Sequence, residues 1–557
     1  MPSISSTLKT IAFAHDYHKY INHANHIDTA GQRHGFFINN LQIAPYLQKD
    51  LTLKSFSELF QLCQNQGVFN LQFYHHIPCV TFNAAAKHMT RKWPRDHCGM
   101  IPLIEDKYPH ELWPGLCQWA KAYNQPCEIH AFERVLKKPS GACHNQGVSH
   151  TFWQNTDGTL RRDSRWKMRQ RIESHGELLR NLAKYSAQHL QNESELPDDI
   201  IKTIVRFTHY LYIQSTSPQS CGPWEEIPFP NGINWDNLSV VNAFNEVLLL
   251  IKKLPQHPAV YTAMTDFESQ LCHKFTLPLL FSTPSNLQKF IKSSLKQIRH
   301  FYLDEFHGAT RRIDSSSVML AAEELDLSSS QDLVVNIRKH LKILKNFEDK
   351  LVHEFGAWRY NQFSSFVDGQ PVKSCDSYLN LNYYLLCDKK GHLCPNKQDL
   401  DKEEKSKIDD NGVRHFKRRA LSASEKTSAQ WGLPLSYAAI AYGRLTSVLL
   451  DAKKKDTSWS EQKEKLLTFC FNKNQEFIKR TYANISGYYP DQTLFLKADG
   501  KTIRPWQKPE AYQAVTAKLD TTEFFFIPGV NDHLGWDAAK CYEASKIFLH
   551  NLQEINS

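Results

Sequence analysis

The chain has 557 residues, of which 22% are charged and 12% aromatic, with a formal net charge of +9. Lysine and arginine are dispersed among acidic residues and form no basic stripe, so the composition does not favour a nucleic-acid-binding protein. The longest fully apolar run, near Val247 to Ile251, is far shorter than the roughly 20 residues that cross a bilayer, which argues against a membrane protein.

Strand and helix patterns are mixed in the first 170 residues. Val68 to Tyr74 has strand character, and Ala84 to Lys92 has the pattern of a helix. His150 to Arg161 predicts a β-hairpin that turns at Asp157-Gly158. We therefore predict a mixed α/β N-terminal part over residues 1–170.

Helical spacing of apolar residues dominates from residue 171 onward, as in Ile200, Ile204, Phe207 and Leu211. This pattern predicts further helices at Asn237 to Lys253, Pro258 to Phe275, Leu287 to Leu303, Leu433 to Leu450, Glu461 to Arg480 and Trp536 to Leu552. Their connections differ greatly in length, and long connections are where functional residues concentrate. We expect residues 171–557 to form a helical domain.

Three short motifs combine aromatic and charged residues. Trp93-Pro94-Arg95-Asp96 offers a ring face, a guanidinium and a carboxylate, which could hold two sugar hydroxyls or form a structural ion pair. In Trp224-Glu225-Glu226, burial against the ring would raise the pKa of a glutamate as a general acid requires, but two exposed loop glutamates fit the same sequence. In Trp358-Arg359-Tyr360 an arginine lies between aromatic residues.

The order and separations of these motifs resemble those of glycoside hydrolase family 15, the glucoamylases, and of the related amylase-like domain of phosphorylase kinase large subunits. Leu534 to Ala539 resembles the start of the family's last inner helix, and Pro434 to Ala438 resembles the preceding one. The resemblance covers roughly Trp93 to the C-terminus. It implies a mainly α fold, an (α/α)6 toroid of helical hairpins over residues 171–557, with the first sugar-binding loop in the N-terminal part.

One family segment matches with a departure. Asp157-Gly158, followed by Trp166 and Gln170, is similar to the family's segment, but Ile172 stands where the family has aspartate. Glu173 follows one position later, so a one-residue insertion could restore the carboxylate.

For the site, the resemblance implies two glutamates. The general acid falls on Glu225, and the general base falls on Glu510 within Pro509-Glu510-Ala511-Tyr512, with Glu523 as its rival. In an inverting enzyme the two carboxyl groups lie about 6.5–9.5 Å apart, with a water between base and sugar. The residues implied to bind the substrate are Trp93, Arg95, Asp96, Trp166, Gln170, Trp224, Glu226 and Arg359.

The implied activity is inverting, exo-acting release of glucose from an α-glucan such as glycogen, starch or a maltooligosaccharide, without a cofactor. The alternative is a catalytically weak or inactive glucan-binding or regulatory module of the same fold. A third hypothesis is hydrolysis of another, acidic glycan, which the positive charge would suit.

We expect no metal site, because Tyr74 to Cys79 and Cys143-His144 lack paired ligand spacing. Thirteen cysteines without a CxxC pair favour a reducing compartment over a disulfide framework. No secretory signal is recognisable. We therefore expect a cytoplasmic protein, or one exported without an N-terminal signal peptide into a host cell, as secreted bacterial amylase effectors resembling this family are.

Overall fold

The computed structural model is mainly α-helical, which confirms the predicted fold class at that level. It describes residues 25–27, 36–38, 42–47, 49–79, 91–138, 147–163, 172–214, 234–299, 321–322, 333–348, 366–367, 370–371, 385–387, 393–395, 429–430, 432–483, 485, 493–497, 524–528 and 535–557. The chain divides into two compact units. Unit 1 comprises Met1–Leu71, Thr81–Ala86 and Arg312–Ser557, and unit 2 comprises Gln72–Val80 and Lys87–Arg311.

The helices in chain order are α1 (Ala44–Leu47), α2 (Leu53–Asn65), α3 (Pro94–Lys107), α4 (Pro109–Tyr123), α5 (Pro126–Lys137), α6 (Ile172–His189), α7 (Asp198–Gln214), α8 (Asn234–Lys253), α9 (Pro258–Phe275), α10 (Ser285–Arg299), α11 (Leu333–Glu348), α12 (Gly432–Lys455), α13 (Glu461–Ala483) and α14 (Gly535–Asn556). Proline occupies the first position of α3, α4, α5 and α9, where its fixed φ suits a helix start and its missing N–H costs no hydrogen bond.

The strands are short and pair antiparallel: β1 (Asn25–Ile27) with β2 (Phe36–Ile38), β3 (Phe73–Tyr74) with β4 (Ile77–Pro78), β8 (Phe366–Val367) with β9 (Gln370–Pro371), and β10 (Leu385–Cys387) with β11 (Leu393–Pro395). Two sheets have the strand orders β5-β6-β7 and β12-β13-β14. Their strands are β5 (Arg91–Lys92), β6 (Phe152–Gln154), β7 (Leu160–Arg162), β12 (Ala429–Gln430), β13 (Thr493–Lys497) and β14 (Phe524–Pro528).

The predicted hairpin at Asp157-Gly158 is confirmed. Strands β6 and β7 pair from Phe152 opposite Arg162 to Gln154 opposite Leu160. Gly158 has φ +84, a left-handed conformation that glycine adopts without the steric cost of a Cβ. The Oδ1 of Asp157 accepts a hydrogen bond from the Thr159 N–H at 2.9 Å, which closes the turn.

Two helical hairpins, α3–α4 and α6–α7, lie side by side in unit 2, and α8 packs against α6. Trp119 near the end of α4 contacts His97 near the start of α3, and Tyr210 near the end of α7 contacts His175 near the start of α6. The second helix of each of these two hairpins therefore runs back along the first. Helices α8 and α9 are joined by the short turn Leu254–Gln256.

Aromatic rings fill the core of unit 2. The ring of Tyr123 lies 5.2 Å from that of Phe152 and 4.8 Å from that of Phe207 between centroids, both edge-on. Phe132 in turn lies 5.0 Å from Phe207. All four side chains are buried, and burial of each apolar ring stabilises the fold by about 1.5–3 kcal/mol. This cluster joins the hairpin strand β6 to α4, α5 and α7.

In unit 1, α12 and α14 run in the same direction and α13 runs opposite to them. Arg444 of α12 donates to Glu543 of α14, and Ser447, one turn later in α12, donates to Asn551, which is also later in α14. The two helices therefore run in the same direction. On α13 the order is reversed, since Asn474 donates to the Ala439 carbonyl while Glu464 pairs with Lys453. Helix α2 packs on α14 through the ring of Phe56, which lies 4.8 Å from that of Phe548.

Two local predictions were wrong. Within Val68 to Tyr74 only Phe73–Tyr74 is a strand, whereas Val68 and Phe69 lie in the turn after α2 with fully buried side chains. Within Ala84 to Lys92, residues 84–90 lie outside the described part, and Arg91–Lys92 is a strand rather than the end of a helix. At Val68 and Phe69 the apolar composition indicated burial and not the type of backbone structure.

In the part of the chain that the structure describes, no helix has the length and apolar character needed to span a membrane.

Candidate functional site at the helix N-termini

The Trp93–Asp96 motif begins a helix instead of following one. Strand β5 ends at Lys92, Trp93 is extended with φ −125 and ψ 127, and Pro94 starts α3. An extended backbone is the expected conformation before proline, because the proline ring disfavours the helical one. Asp96 then falls in the first turn of α3, where the positive end of the helix dipole favours a carboxylate.

The structure brings the three predicted sugar-binding residues of this motif together. Both Nε and Nη2 of Arg95 donate to Oδ1 of Asp96, at 3.1 and 3.0 Å. The Arg95 and Asp96 side chains are only 13% and 7% exposed, and Trp93 is buried. Charge-assisted hydrogen bonds of this kind fix the orientation of a guanidinium, so its planar face and further N–H groups have a defined direction.

Burial lowers the pKa values of Lys92 and His97, the two basic residues that flank the motif. The Lys92 side chain is fully buried, which lowers its pKa, and its ammonium group faces the Pro78 carbonyl and Cys79 Sγ, both at 3.4 Å. Burial, with a smaller contribution from the charge of Lys92, lowers the pKa of His97 to about 3. The neutral His97 accepts a hydrogen bond on Nδ1 from the Trp119 indole at 2.8 Å.

The first turns of α6 and α8 each carry a buried carboxylate as well. Glu173, one position after the Ile172 that departs from the family pattern, is fully buried at the start of α6. Asp236 is 1% exposed in the first turn of α8.

Helices α3, α6 and α8 are parallel, so their N-terminal ends lie on the same side of unit 2. Cys98 early in α3 lies beside Asn181 of α6, while Glu105 late in α3 lies 3.6 Å from Lys184. Between α6 and α8, a Cβ on Gly176 would lie 3.1 Å from Ser239, whereas Lys253 reaches the Ala187 carbonyl at 3.2 Å near the other end.

This common direction places Asp96, Glu173 and Asp236 at one end of three adjacent helices. Such an arrangement can accept hydrogen bonds from several hydroxyl groups of a polyol, while Arg95 donates to others.

Sequence reasoning missed Asp236, although a signal was present. An aspartate follows a tryptophan closely at three places: Trp93-Pro94-Arg95-Asp96, Trp235-Asp236 and Trp536-Asp537. Each of these aspartates has a buried side chain and lies in the first turn of a helix. Only the first and third occurrences lie in segments that resemble the glucoamylase family.

In unit 1, buried polar side chains lie near the starts of α12 and α14. Ser436 and Tyr437 are buried early in α12, and Trp536 and Asp537 are buried early in α14. Lys540 links the two helices, since its Nζ lies 5.3 Å from the centroid of the Tyr437 ring. These segments are the ones that resemble the family's inner helices, and that assignment stays a prediction.

All the other predicted site residues lie outside the described part of the chain. These are the predicted acid Glu225, the predicted bases Glu510 and Glu523, and the predicted substrate-binding residues Trp166, Gln170, Trp224, Glu226 and Arg359. Glu225 belongs to the segment between α7 and α8, and Glu510 to the segment between β13 and β14.

The histidines near Cys79 form a tight turn. His75 and His76 have φ 45 and 65 and connect β3 to β4. His75 Nε2 contacts the Thr156 carbonyl at 3.0 Å, and His76 Nδ1 lies 2.7 Å from the Glu111 carboxylate. Their side chains thus engage in hydrogen bonds to the neighbouring hairpin and helix. Cys143-His144 lies outside the described residues.

No protein-family model matches the chain, and none of the curated proteins compared with it matches either.

Proposed function

We propose that the protein is an inverting, exo-acting α-glucan hydrolase of the glucoamylase kind, which releases glucose from glycogen, starch or maltooligosaccharides. The observation that carries this proposal is the fixed Arg95–Asp96 pair beside buried Trp93 at the start of α3. A flat ring, a rigid donor and an acceptor within one helical turn suit the alternating apolar face and hydroxyl rim of a glucose ring.

The buried carboxylates Glu173 and Asp236 support the same proposal. A neutral sugar offers only hydroxyl groups, and a site that binds it in preference to water needs several acceptors held at fixed positions by rigid elements. The ends of α3, α6 and α8 provide such positions. Glu173 takes the role of the family's aspartate that Ile172 does not fill.

The fold proposed for the catalytic domain is an (α/α)6 toroid. Such a toroid alternates inner and outer helices, with all inner helices running in one direction. The antiparallel pairs α3–α4 and α6–α7 in unit 2, and the alternating directions of α12, α13 and α14 in unit 1, support this proposal.

In the proposed reaction, Glu225 protonates the glycosidic oxygen and Glu510 removes a proton from the attacking water. The bond from the anomeric carbon to the leaving oxygen breaks as the water oxygen attacks the opposite face, so the product is β-glucose. Arg95, Asp96 and Arg359 hold the terminal glucose, with Trp93 and Trp224 against its face. Glu226, Trp166 and Gln170 complete the proposed contacts.

The test is incubation of the purified full-length chain with glycogen and with maltooligosaccharides, with product identity and anomeric form followed by NMR. We expect β-glucose as the first product. Glu225→Gln should abolish release, as should either Glu510→Gln or Glu523→Gln, whichever removes the base. Glu195→Gln, which changes an exposed glutamate between α6 and α7, is the matched control and should retain activity.

Other outcomes would replace the proposal. Glucan binding without release of sugar by the wild-type chain would identify a binding or regulatory module. Release of α-glucose would exclude inversion, and turnover restricted to an acidic glycan would identify a different substrate class. Full activity of Glu225→Gln would remove that residue from the role of acid.

A further inference from the structure

His209, Glu268 and Cys272 form a buried cluster in unit 2 that the proposed hydrolysis does not use. His209 lies on α7, and Glu268 and Cys272 lie one turn apart on α9. Exposure is 1% for the histidine side chain, 0% for the glutamate and 7% for the cysteine. Among the described residues, this is the group of three potential metal ligands whose ligand atoms all lie within 4.8 Å of one another.

The geometry of the cluster is that of ligands around a common point. Nε2 of His209 lies 3.2 Å from Oε1 of Glu268 and 3.8 Å from Sγ of Cys272. Zinc binds histidine nitrogen and carboxylate oxygen at about 2.0–2.2 Å and thiolate sulfur at about 2.3 Å, in a tetrahedron. Ligand atoms on a tetrahedron of that size are separated by distances close to those in the cluster.

The same nitrogen of His209 faces both the carboxylate and the sulfur. In a nucleophilic Cys–His–Glu arrangement the imidazole would use one ring nitrogen for the thiol and the other for the acid. A shared Nε2 therefore argues against a catalytic triad. It is the arrangement expected when the lone pair of Nε2 and the other two ligand atoms are directed at one ion.

We propose that His209 Nε2, Glu268 Oε1 and Cys272 Sγ bind a structural zinc ion. The carboxylate is already held in position, since Oε1 accepts N–H bonds from Leu280 and Phe281 at 2.5 and 2.8 Å, and Oε2 accepts two bonds from Ser282 at 3.0 Å. Hydrogen bonds from outer groups commonly orient zinc ligands in this way. The Pro278 carbonyl, 3.5 Å from Sγ, offers an oxygen for the fourth position.

The zinc ion would join α7 to α9 and to residues 276–284, which lead into α10. That segment begins at Thr276 in a left-handed conformation, with φ 57, which is unfavourable for a residue with a branched Cβ. A metal bound beside it would hold the segment in place. Helix α10 packs on α8 through the ring of Phe290, 5.2 Å from that of Phe244, so the ion would also support the helix that carries Asp236.

The first measurement is metal content of the full-length chain, purified without chelator, by mass spectrometry, followed by cobalt reconstitution of the chelator-treated protein. We expect one zinc per chain and a thiolate-to-cobalt charge-transfer absorption band. Cys272→Ser should abolish the band and weaken zinc binding by at least about 100-fold, more than the loss typical of outer-shell partners. This variant should fold, because a serine hydroxyl can donate to the Pro278 carbonyl as the thiol does.

Cys470→Ser is the matched control, since Cys470 is a buried free cysteine on α13 outside the cluster. It should retain the zinc and the cobalt band. A folded wild-type chain that binds neither zinc nor cobalt would overturn the proposal and leave a purely hydrogen-bonded cluster, as would a cobalt band that persists in Cys272→Ser. These readouts do not depend on glucan hydrolysis, so either proposal can fail alone.

Discussion

Arg95 and Asp96 are adjacent in the chain, yet the guanidinium of Arg95 folds back to donate twice to one carboxylate oxygen of Asp96. Neighbouring side chains on a helix point about 100° apart, so this pair forms because the long arginine side chain bends round to reach the Asp96 carboxylate. Helix α3 is the element that holds it. The pair gives the start of α3 one oriented donor and one acceptor, and most of the following predictions concern this end of the helices.

Arg95→Lys should lower kcat/KM for maltooligosaccharides by about 10- to 150-fold, which corresponds to the loss of one hydrogen bond to a charged group, about 1.5–3 kcal/mol. Lysine keeps the charge but lacks the planar, multi-donor geometry of guanidinium. Steady-state kinetics of glucose release measure the effect. Arg161→Lys, at an exposed arginine of β7, is the control and should behave as wild type. Equal kinetics of Arg95→Lys and wild type would show that the Arg95–Asp96 pair is structural.

Glu173→Gln should reduce kcat/KM by at least about tenfold, the effect of losing one charge-assisted hydrogen bond of about 1.4 kcal/mol or more. Glutamine has the same shape, so the circular dichroism spectrum should not change. Asp198→Asn tests an exposed carboxylate at the start of the neighbouring helix α7, where the side chain is 73% exposed, and should leave kcat/KM unaffected. If Glu173→Gln retains full activity, Glu173 does not replace the aspartate that the family has at the position of Ile172, and this chain lacks that carboxylate contact.

Acid should destabilise the fold through His97. Burial lowers its pKa in the folded chain to about 3, whereas an unfolded histidine titrates near 6.5. Between these two values the unfolded chain binds more protons, so the free energy of unfolding falls as the pH drops from about 6.5 toward 3. His97→Gln, whose amide oxygen can still accept from the Trp119 indole, should flatten this dependence in denaturant titrations at pH 7, 6 and 5.

His110→Gln serves as the comparison, because the His110 side chain is 74% exposed. It should leave the pH dependence as in wild type. Parallel curves for wild type and His97→Gln would mean that His97 has the same pKa in the folded and the unfolded chain, which would contradict the lowering of its pKa by burial.

Gly158→Ala should lower the free energy of unfolding by more than the roughly 1–2 kcal/mol expected for a left-handed residue with a Cβ. The additional cost comes from His75, whose Cγ would lie 2.7 Å from the new Cβ. His75→Gly removes that contact. In a chain that carries His75→Gly, Gly158→Ala should therefore lower the free energy of unfolding only by the cost of the left-handed backbone conformation. A double-mutant cycle measured by urea unfolding separates the two contributions, and an additive result would show that the His75 contact is relieved elsewhere.

Local patterns predicted several helices after residue 171, whereas the amphipathic helices α2 and α5 were not predicted. Pro258–Phe275 was predicted with both ends correct, because proline starts this helix and the apolar spacing then continues to its end. The hairpin at Asp157-Gly158 was equally predictable, since only a few residue types suit its turn.

Secondary-structure prediction failed where a residue is buried for a reason other than the strand or helix that its apolar pattern suggests. Val68 and Phe69 are apolar because the turn after α2 packs them into the core, and sequence alone reads such a run as a strand. Trp93 marks the beginning of α3, but the preceding residues appeared helical because a two-residue strand is too short to show alternation. The catalytic assignments Glu225, Glu510 and Glu523 lie outside the described residues and stay predictions.

The sequence by itself determined that helices dominate after residue 171, where several of them begin and end, and that Trp93, Arg95 and Asp96 are neighbours in one motif, because these properties depend on residues within one or two turns. Only the tertiary structure decided that α3, α6 and α8 run parallel, that Asp96, Glu173 and Asp236 share one end of them, and that His209 meets Glu268 and Cys272. Those relationships join residues tens of positions apart, and they are set by how whole helices pack, which no local pattern of side chains specifies.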